Sequence, residues 1–197
     1  MKAGGFAVAD AATRETLALG LVACLGDPDP ALRDGIGYEA LSQWMRAGQF
    51  DAAFLRRLRA ALESALGAAD ADGVRAPFAA LALSEVARTD RIAPWMSPAE
   101  REAMLARAVD YLASVRDYRG YQAGIGWRHG VAHGADWLLQ LSLNPALDAP
   151  QLRRIVDAVA LQAVPDAGHA YVFGEPARLA RPVAWVARRG ALSPVSS

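Results

Sequence analysis

Among its 197 residues the chain has one cysteine, Cys24, and one lysine, Lys2. A lone cysteine excludes an internal disulfide and any cluster of metal-bound thiolates. Net charge is also missing: 21 basic residues, 20 of them Arg, meet 21 acidic ones. There is thus no global electrostatic case for a nucleic-acid or anionic-membrane partner. No apolar run approaches the roughly 18 residues of a membrane-spanning helix. Nor is there a Gly-rich phosphate loop, a G-x-S-x-G nucleophile elbow or a basic stripe interleaved with aromatics. Leu21-Val22-Ala23-Cys24 resembles a lipoprotein cleavage box, but Asp10, Arg14 and Glu15 interrupt the apolar run such a signal needs. Leu17, Leu21, Cys24 and Leu25 fit the face of an amphipathic helix instead. The expected location is the cytoplasm.

What is present is helical punctuation. At 53% hydrophobic and 21% charged, the composition is that of a globular domain. The sequence sets out a tail over 1–9, one helical domain over 10–190 and a second tail over 191–197. Asp10 is placed to cap a first helix running to about Gly26, and Asp29-Pro30 to open a second that ends near Ala47. A third covers about Asp51 to Leu66, with Phe54, Leu55, Leu58, Leu62 and Leu66 on one face. A fourth runs from about Pro77 to Arg88. Ser97-Pro98-Ala99-Glu100 is a capping box, opening a fifth that ends near Val115. Asp117 to Gly126 reads as an ordered loop. Helices over about Trp127 to Leu143, Ala149 to Ala163 and Pro176 to Arg189 follow, with Pro182 as a kink point. No segment sustains the period-two alternation of a strand. The fold class is therefore all-α, with antiparallel helix pairs. Asp27-Pro28-Asp29-Pro30-Ala31-Leu32-Arg33-Asp34 resembles the turn and second helix of a HEAT repeat. The expected architecture is accordingly a HEAT-like α-solenoid or a compact helical stack.

The stretch Gly126 to Trp137, GWRHGVAHGADW, carries two of the three histidines. On a helical wheel Trp127, Val131, Gly134, Leu138 and Leu141 gather on one side. His129, His133, Asp136 and Gln140 gather on the other, within about 60° of arc. That polar stripe lacks Lys, Glu and Arg. Gly130 and Gly134 cost about 1 kcal/mol each in a helix and leave space for a ligand or another backbone. Histidines at i and i+4 can share a metal ion, with a third ligand from Asp136 or from another helix, though Gly130 replaces the glutamate of the H-E-x-x-H motif. Glu39 and Glu85 fall on the apolar faces of their helices, where a carboxylate must be paired, hydrogen-bonded or protonated. Trp127 and Trp137 are placed to wall a pocket. Glu175 precedes Pro176 at a helix start, and His169 stands alone in a loop. Structural contacts between helices, a metal-free pocket and a metal site all remain open at this point.

Arg119-Gly120-Tyr121, the block Gly124-Ile125-Gly126-Trp127-Arg128-His129 and Ala132-His133-Gly134-Ala135-Asp136 together resemble the signature of a bacterial family, domain-of-unknown-function family 2785. Leu32-Arg33-Asp34, Tyr38 to Ser42, Phe78 through Glu85, and Gly174-Glu175 with Arg178-Leu179 resemble its other blocks. The resemblance runs from about Leu25 to Arg189. It implies a helical domain, no assigned activity, and a recurrent set of Asp34, Glu39, Glu85, His129, His133, Asp136 and Glu175.

The leading expectation is a protein that binds a small molecule or a protein partner in a pocket lined by those residues, Gln140 and the two tryptophans. The alternative is a metal-assisted hydrolase holding a divalent ion such as zinc on His129, His133 and Asp136. A purely structural interaction module, with the polar stripe exposed and inert, is the third.

Overall fold

A computed structural model describes residues 4–165 and 168–191; the expected C-terminal tail beyond 191 lies outside the described residues. Helices dominate: α1 (Ala11–Cys24), α2 (Pro30–Leu32), a π-helical segment (Arg33–Tyr38), α3 (Glu39–Arg46), α4 (Ala52–Leu66), α5 (Arg75–Ile92), α6 (Pro98–Ser114), α7 (Gly130–Ser142), α8 (Ala149–Ala163) and α9 (Glu175–Arg189). The only strands among the described residues form a two-residue hairpin, β1 (Tyr121–Gln122) and β2 (Gly126–Trp127), so the chain is all-α. Successive helices pair, α4 on α5, α6 on α7 and α8 on α9. One layer then stacks α3, α5, α7 and α9; the other places α1 on α4 and α6 on α8.

The helix starts follow from local chemistry. Asp10, Asp29, Asp51, Ser97 and Asp148 each accept a backbone N–H of the first turn that has no partner within the helix. Pro182 sits inside α9 without ending it. Residues ahead of α1, expected as a tail, lie against the core: Phe6 is buried and its carbonyl accepts the Trp44 indole N–H at 2.9 Å.

Two departures from regular helix matter for the site. The second helix is not continuous α: over Arg33–Tyr38 it widens, and the Glu39 N–H bonds back to the Asp34 carbonyl, five residues earlier. The extra residue turns everything beyond it by about 100° relative to a continuous wheel. This is why Glu39, expected on the apolar face with Leu32 and Ile36, is only half-buried, while Arg33 is wholly buried. The second departure is in α7, which begins at Gly130 rather than Trp127. Trp127 belongs to the hairpin and is 39% exposed, so it does not face the core as the wheel expected.

Arg33 ties these irregular parts together. Its guanidinium donates to the carbonyls of Asp27 (3.0 Å) and Pro28 (3.3 Å) on one side, and of Ile125 (2.8 Å) and Trp127 (3.5 Å) on the other. It also lies 4.7 Å over the Phe78 ring and 2.7 Å from the Asp34 carboxylate. Gly126 is required where the hairpin meets it: its φ is +81°, and a Cβ there would stand 3.2 Å from the Arg33 Nη2. Arg128 does similar work from the other end, donating to the Asp72 carbonyl at 2.6 Å and to Gln122 Oε1 at 2.8 Å.

Arg33→Ala is expected to destabilise the fold by about 3–5 kcal/mol, because it empties a wholly buried site and leaves several carbonyls and the half-buried Asp34 carboxylate without a donor. Arg33→Lys should recover only part of this, since an ammonium cannot bridge both sides of the fork. Urea unfolding monitored by circular dichroism checks both; a loss below about 1 kcal/mol for Arg33→Ala would show that the clamp is dispensable.

Candidate functional site

The inner layer brings four of the expected residues to one place. Glu85 on α5, with His133, Asp136 and Gln140 on α7, line an open cleft of about 390 Å³. The other walls include four residues that the sequence did not mark as site residues: Tyr38, Arg46, Arg178 and Arg181. Tyr38 closes the π segment and Arg46 ends α3, while Arg178 and Arg181 stand one turn apart on α9.

Each buried acid of the cleft has a cationic partner. Glu85 is 4% exposed and pairs with Arg46, whose Nε donates to Oε2 at 2.9 Å and whose Nη2 reaches Oε1. The Tyr38 hydroxyl donates to the same carboxylate at 3.4 Å. Burial first, then the Glu85 charge, raises the Tyr38 phenol above its ordinary value, so it stays a neutral donor. Asp136 pairs with Arg178. Its carboxyl is raised by burial, opposed by its hydrogen bond with Arg178 and by the positive field of Arg178 and Arg181. Gln140 Oε1 accepts from Arg91 Nε at 3.2 Å.

His133 is 6% exposed, its ring edge-on to Phe78 at 5.1 Å. Its Nδ1 lies 3.1 Å from the Pro77 carbonyl, which assigns the proton to Nδ1 and leaves Nε2 as the acceptor. Burial, with a smaller contribution from His129, pushes its pKa down to about 3, so the ring is neutral at physiological pH.

His129 is not on the α7 wheel. It is the N-cap residue, in the left-handed conformation at φ 56°. Its ring stacks on Trp127 at 4.2 Å and 6°, and sits 5.8 Å from the His133 ring by centroids. It is half-buried, with Nδ1 buried and unpartnered, and burial lowers its pKa. Glu175 opens α9, is 3% exposed and accepts the Phe173 N–H at 2.9 Å. With His129 it lines a crevice too tight for a water molecule.

Other expected residues lie apart from the cleft. Asp34 pairs with Arg33, and burial raises its carboxyl. Glu39 Oε1 accepts from Gln43 at 3.4 Å. Trp137 is fully buried against Tyr111 and does not wall the cleft. The space beside Gly130 and Gly134 is filled by α6: a Cβ on Gly134 would stand 3.0 Å from Leu112 Cδ1, and one on Gly130 3.3 Å from Val115 Cγ1. Those glycines serve helix packing rather than a ligand.

Among the described residues no three His, Cys, Asp or Glu side chains are arranged to share a metal ion. The Asp136 carboxylate is committed to Arg178, and His133 Nδ1 to a carbonyl. The arginines of the cleft carried no distinguishing signal, because nearly every basic residue in the chain is Arg. The spacing of Arg178 and Arg181, one turn apart beyond a helix start, is the one hint that could have found them.

The His133 environment fixes a pH dependence. Below about pH 6.5 the unfolded ring takes a proton that the folded ring refuses until about pH 3. Its stabilising effect is complete above that window and is lost as pH falls through it, by at most about 1.4 kcal/mol per unit. The raised Asp136 carboxyl acts in the opposite sense. The stability difference between wild type and His133→Gln, measured by urea unfolding from pH 7 to 4, is therefore expected to shift against wild type as pH falls. A pH-independent difference would show that the ring titrates normally.

Comparison with known proteins gives a family and nothing finer. No curated protein and no solved structure matches the chain. The match to a protein family covers residues 62–196, so the blocks at 32–34 and 38–42 lie outside it. Glu85, both histidines of α7 and its N-cap, Asp136 and the α9 arginines lie within it, and on that match the chain belongs to the protein family of unknown function DUF2785.

Proposed function

We propose that the chain binds a small anionic molecule in the cleft between the π segment, α5, α7 and α9. One observation carries this reading. Two carboxylates, Glu85 and Asp136, are each neutralised by a guanidinium, while Arg181 lines the same cleft without a hydrogen-bonded partner among the described residues. With His133 neutral, the cleft holds three cations against two anions. The size suits a small ligand, and the remaining groups supply direction: the Tyr38 hydroxyl and the His133 Nε2 acceptor. Such a net positive recess attracts a carboxylate, phosphate or sulfate group, for which arginine's planar fork is suited.

An inert interaction module fits less well, because His133 is buried and Asp136 and His129 are not exposed. The hydrolase reading lacks three donors arranged to share an ion among the described residues.

The test is isothermal titration of the full chain with inorganic phosphate, sulfate and citrate, with spermidine as a cationic control. At least one anion is expected to bind, and Arg181→Glu should weaken it by tenfold or more. Because Arg181 is exposed, that variant should keep the melting temperature nearly unchanged. Undiminished anion binding by Arg181→Glu, or tighter binding of spermidine, would overturn the assignment.

A further inference from the structure

A second cavity, of about 360 Å³, lies on the other side of Arg46, between α3, α4 and the end of α5. Its walls differ in kind from those of the polar cleft. Met45, Phe50, Leu55, Ile92, Pro94 and Trp95 make it largely apolar. Met45, Phe50 and Leu55 are buried floor residues, while Ile92 stands at the rim, 60% exposed. None of its lining residues is acidic, and two, Arg46 and Arg88, are cationic. Arg46 is already engaged by Glu85. Arg88 makes no hydrogen bond or ion pair among the described residues, and its uncompensated charge helps lower the pKa of its neighbour Arg91, after burial. Asp51, between the lining residues Phe50 and Ala52, is occupied in capping α4. Trp95 is fixed by its own bonds: its indole N–H donates to Thr89 Oγ1 at 3.0 Å and its backbone N–H to Asp90 at 2.9 Å.

A rigid apolar trough with an unpaired guanidinium beside it has the chemistry of a site for an amphipathic anion. A wholly apolar occupant would leave Arg88 uncompensated, and a polar one would waste the floor. We propose that this groove binds a small carboxylate with an aliphatic chain, the carboxylate on Arg88 and the chain along Phe50, Leu55 and Trp95. The site is distinct from the polar cleft and does not depend on its assignment.

The probes are hexanoate, octanoate and decanoate, below their micelle concentrations, added to the full ¹⁵N-labelled chain. The readouts are titration calorimetry and the Trp95 indole resonance, assigned by Trp95→Phe. Each added methylene is expected to tighten binding by about threefold to fourfold until the groove is full. The Trp95 signal should move with the same dissociation constant. Arg88→Ala should weaken octanoate about tenfold, and Ile92→Asp, a change at an exposed rim position, should abolish the gain with chain length. Circular dichroism melts confirm that both variants remain folded. Octylammonium should bind at least tenfold more weakly than octanoate.

Several outcomes would overturn the proposal: binding that ignores chain length, octylammonium equal to octanoate, or Arg88→Ala without effect. It also fails if a peptide ending in leucine binds far more tightly than octanoate. Ile92-dependent self-association in sedimentation, with no carboxylate binding, would assign the groove to a second copy of the chain instead. Because Arg181 takes no part here, failure in this groove leaves the polar cleft untouched, and the reverse holds as well.

Discussion

A guanidinium removed entirely from water is the constraint on which the site's geometry rests. Desolvating Arg33 costs several kcal/mol, and the fold offsets that only by surrounding the charge with carbonyls, a carboxylate and an aromatic face. Those carbonyls come from segments almost a hundred residues apart in the chain. To satisfy Arg33, the turn at 27–28 and the hairpin at 121–127 must therefore lie against one another. The hairpin delivers Trp127, the ring on which His129 stacks, and leads directly into the start of α7. The clamp thus sets where α7 begins and places His129 beside the cleft rather than on the helix.

The π segment belongs to the same device. It begins at Arg33 and ends at Tyr38, so one irregularity turns a guanidinium inward and presents a phenol to Glu85. Gly37 fits this geometry because a Cβ there would press on Cys24 Cβ and on the Leu32 carbonyl, both at 3.3 Å. Widened turns of this kind recur where a side chain must be re-aimed without breaking the helix. The left-handed His129 is a second local cost, tolerated because stacking and the clamped hairpin determine its position.

Electrostatics within the inner layer follows from burial and pairing together. Glu85 and Asp136 are retained next to guanidiniums, while burial strips His133 of its charge: no carboxylate touches it, and its bond to the Pro77 carbonyl opposes the loss only in part. A neutral imidazole between two paired acids leaves the arginines to set the sign of the cleft. Arg46 stands between the polar cleft and the apolar groove and contributes to both walls.

Much of the fold was legible because it is written in local chemistry. The Asp and Ser caps, the prolines at first helical positions and the apolar spacing within α4 act within a few residues, and α4, α6 and α8 appear close to where the sequence put them. Glu85, His133, Asp136 and Gln140 were also legible as one polar set, since buried or half-buried polar groups at helical spacing must meet something. Three things were not. The wheel through His129 assumed a helix that begins three residues later than expected, because the buried needs of Arg33 and Arg128 hold residues 121–128 in another form. Glu39 was misplaced by one inserted residue in the π segment. The partners of the acids, Arg46 and Arg178, come from other helices, and in a chain whose cations are nearly all Arg no local pattern shows which acid each one meets. Sequence by itself determined the helices and the polar face. Tertiary packing decided which charges meet, because pairing a buried charge is a long-range requirement that no short window of residues contains.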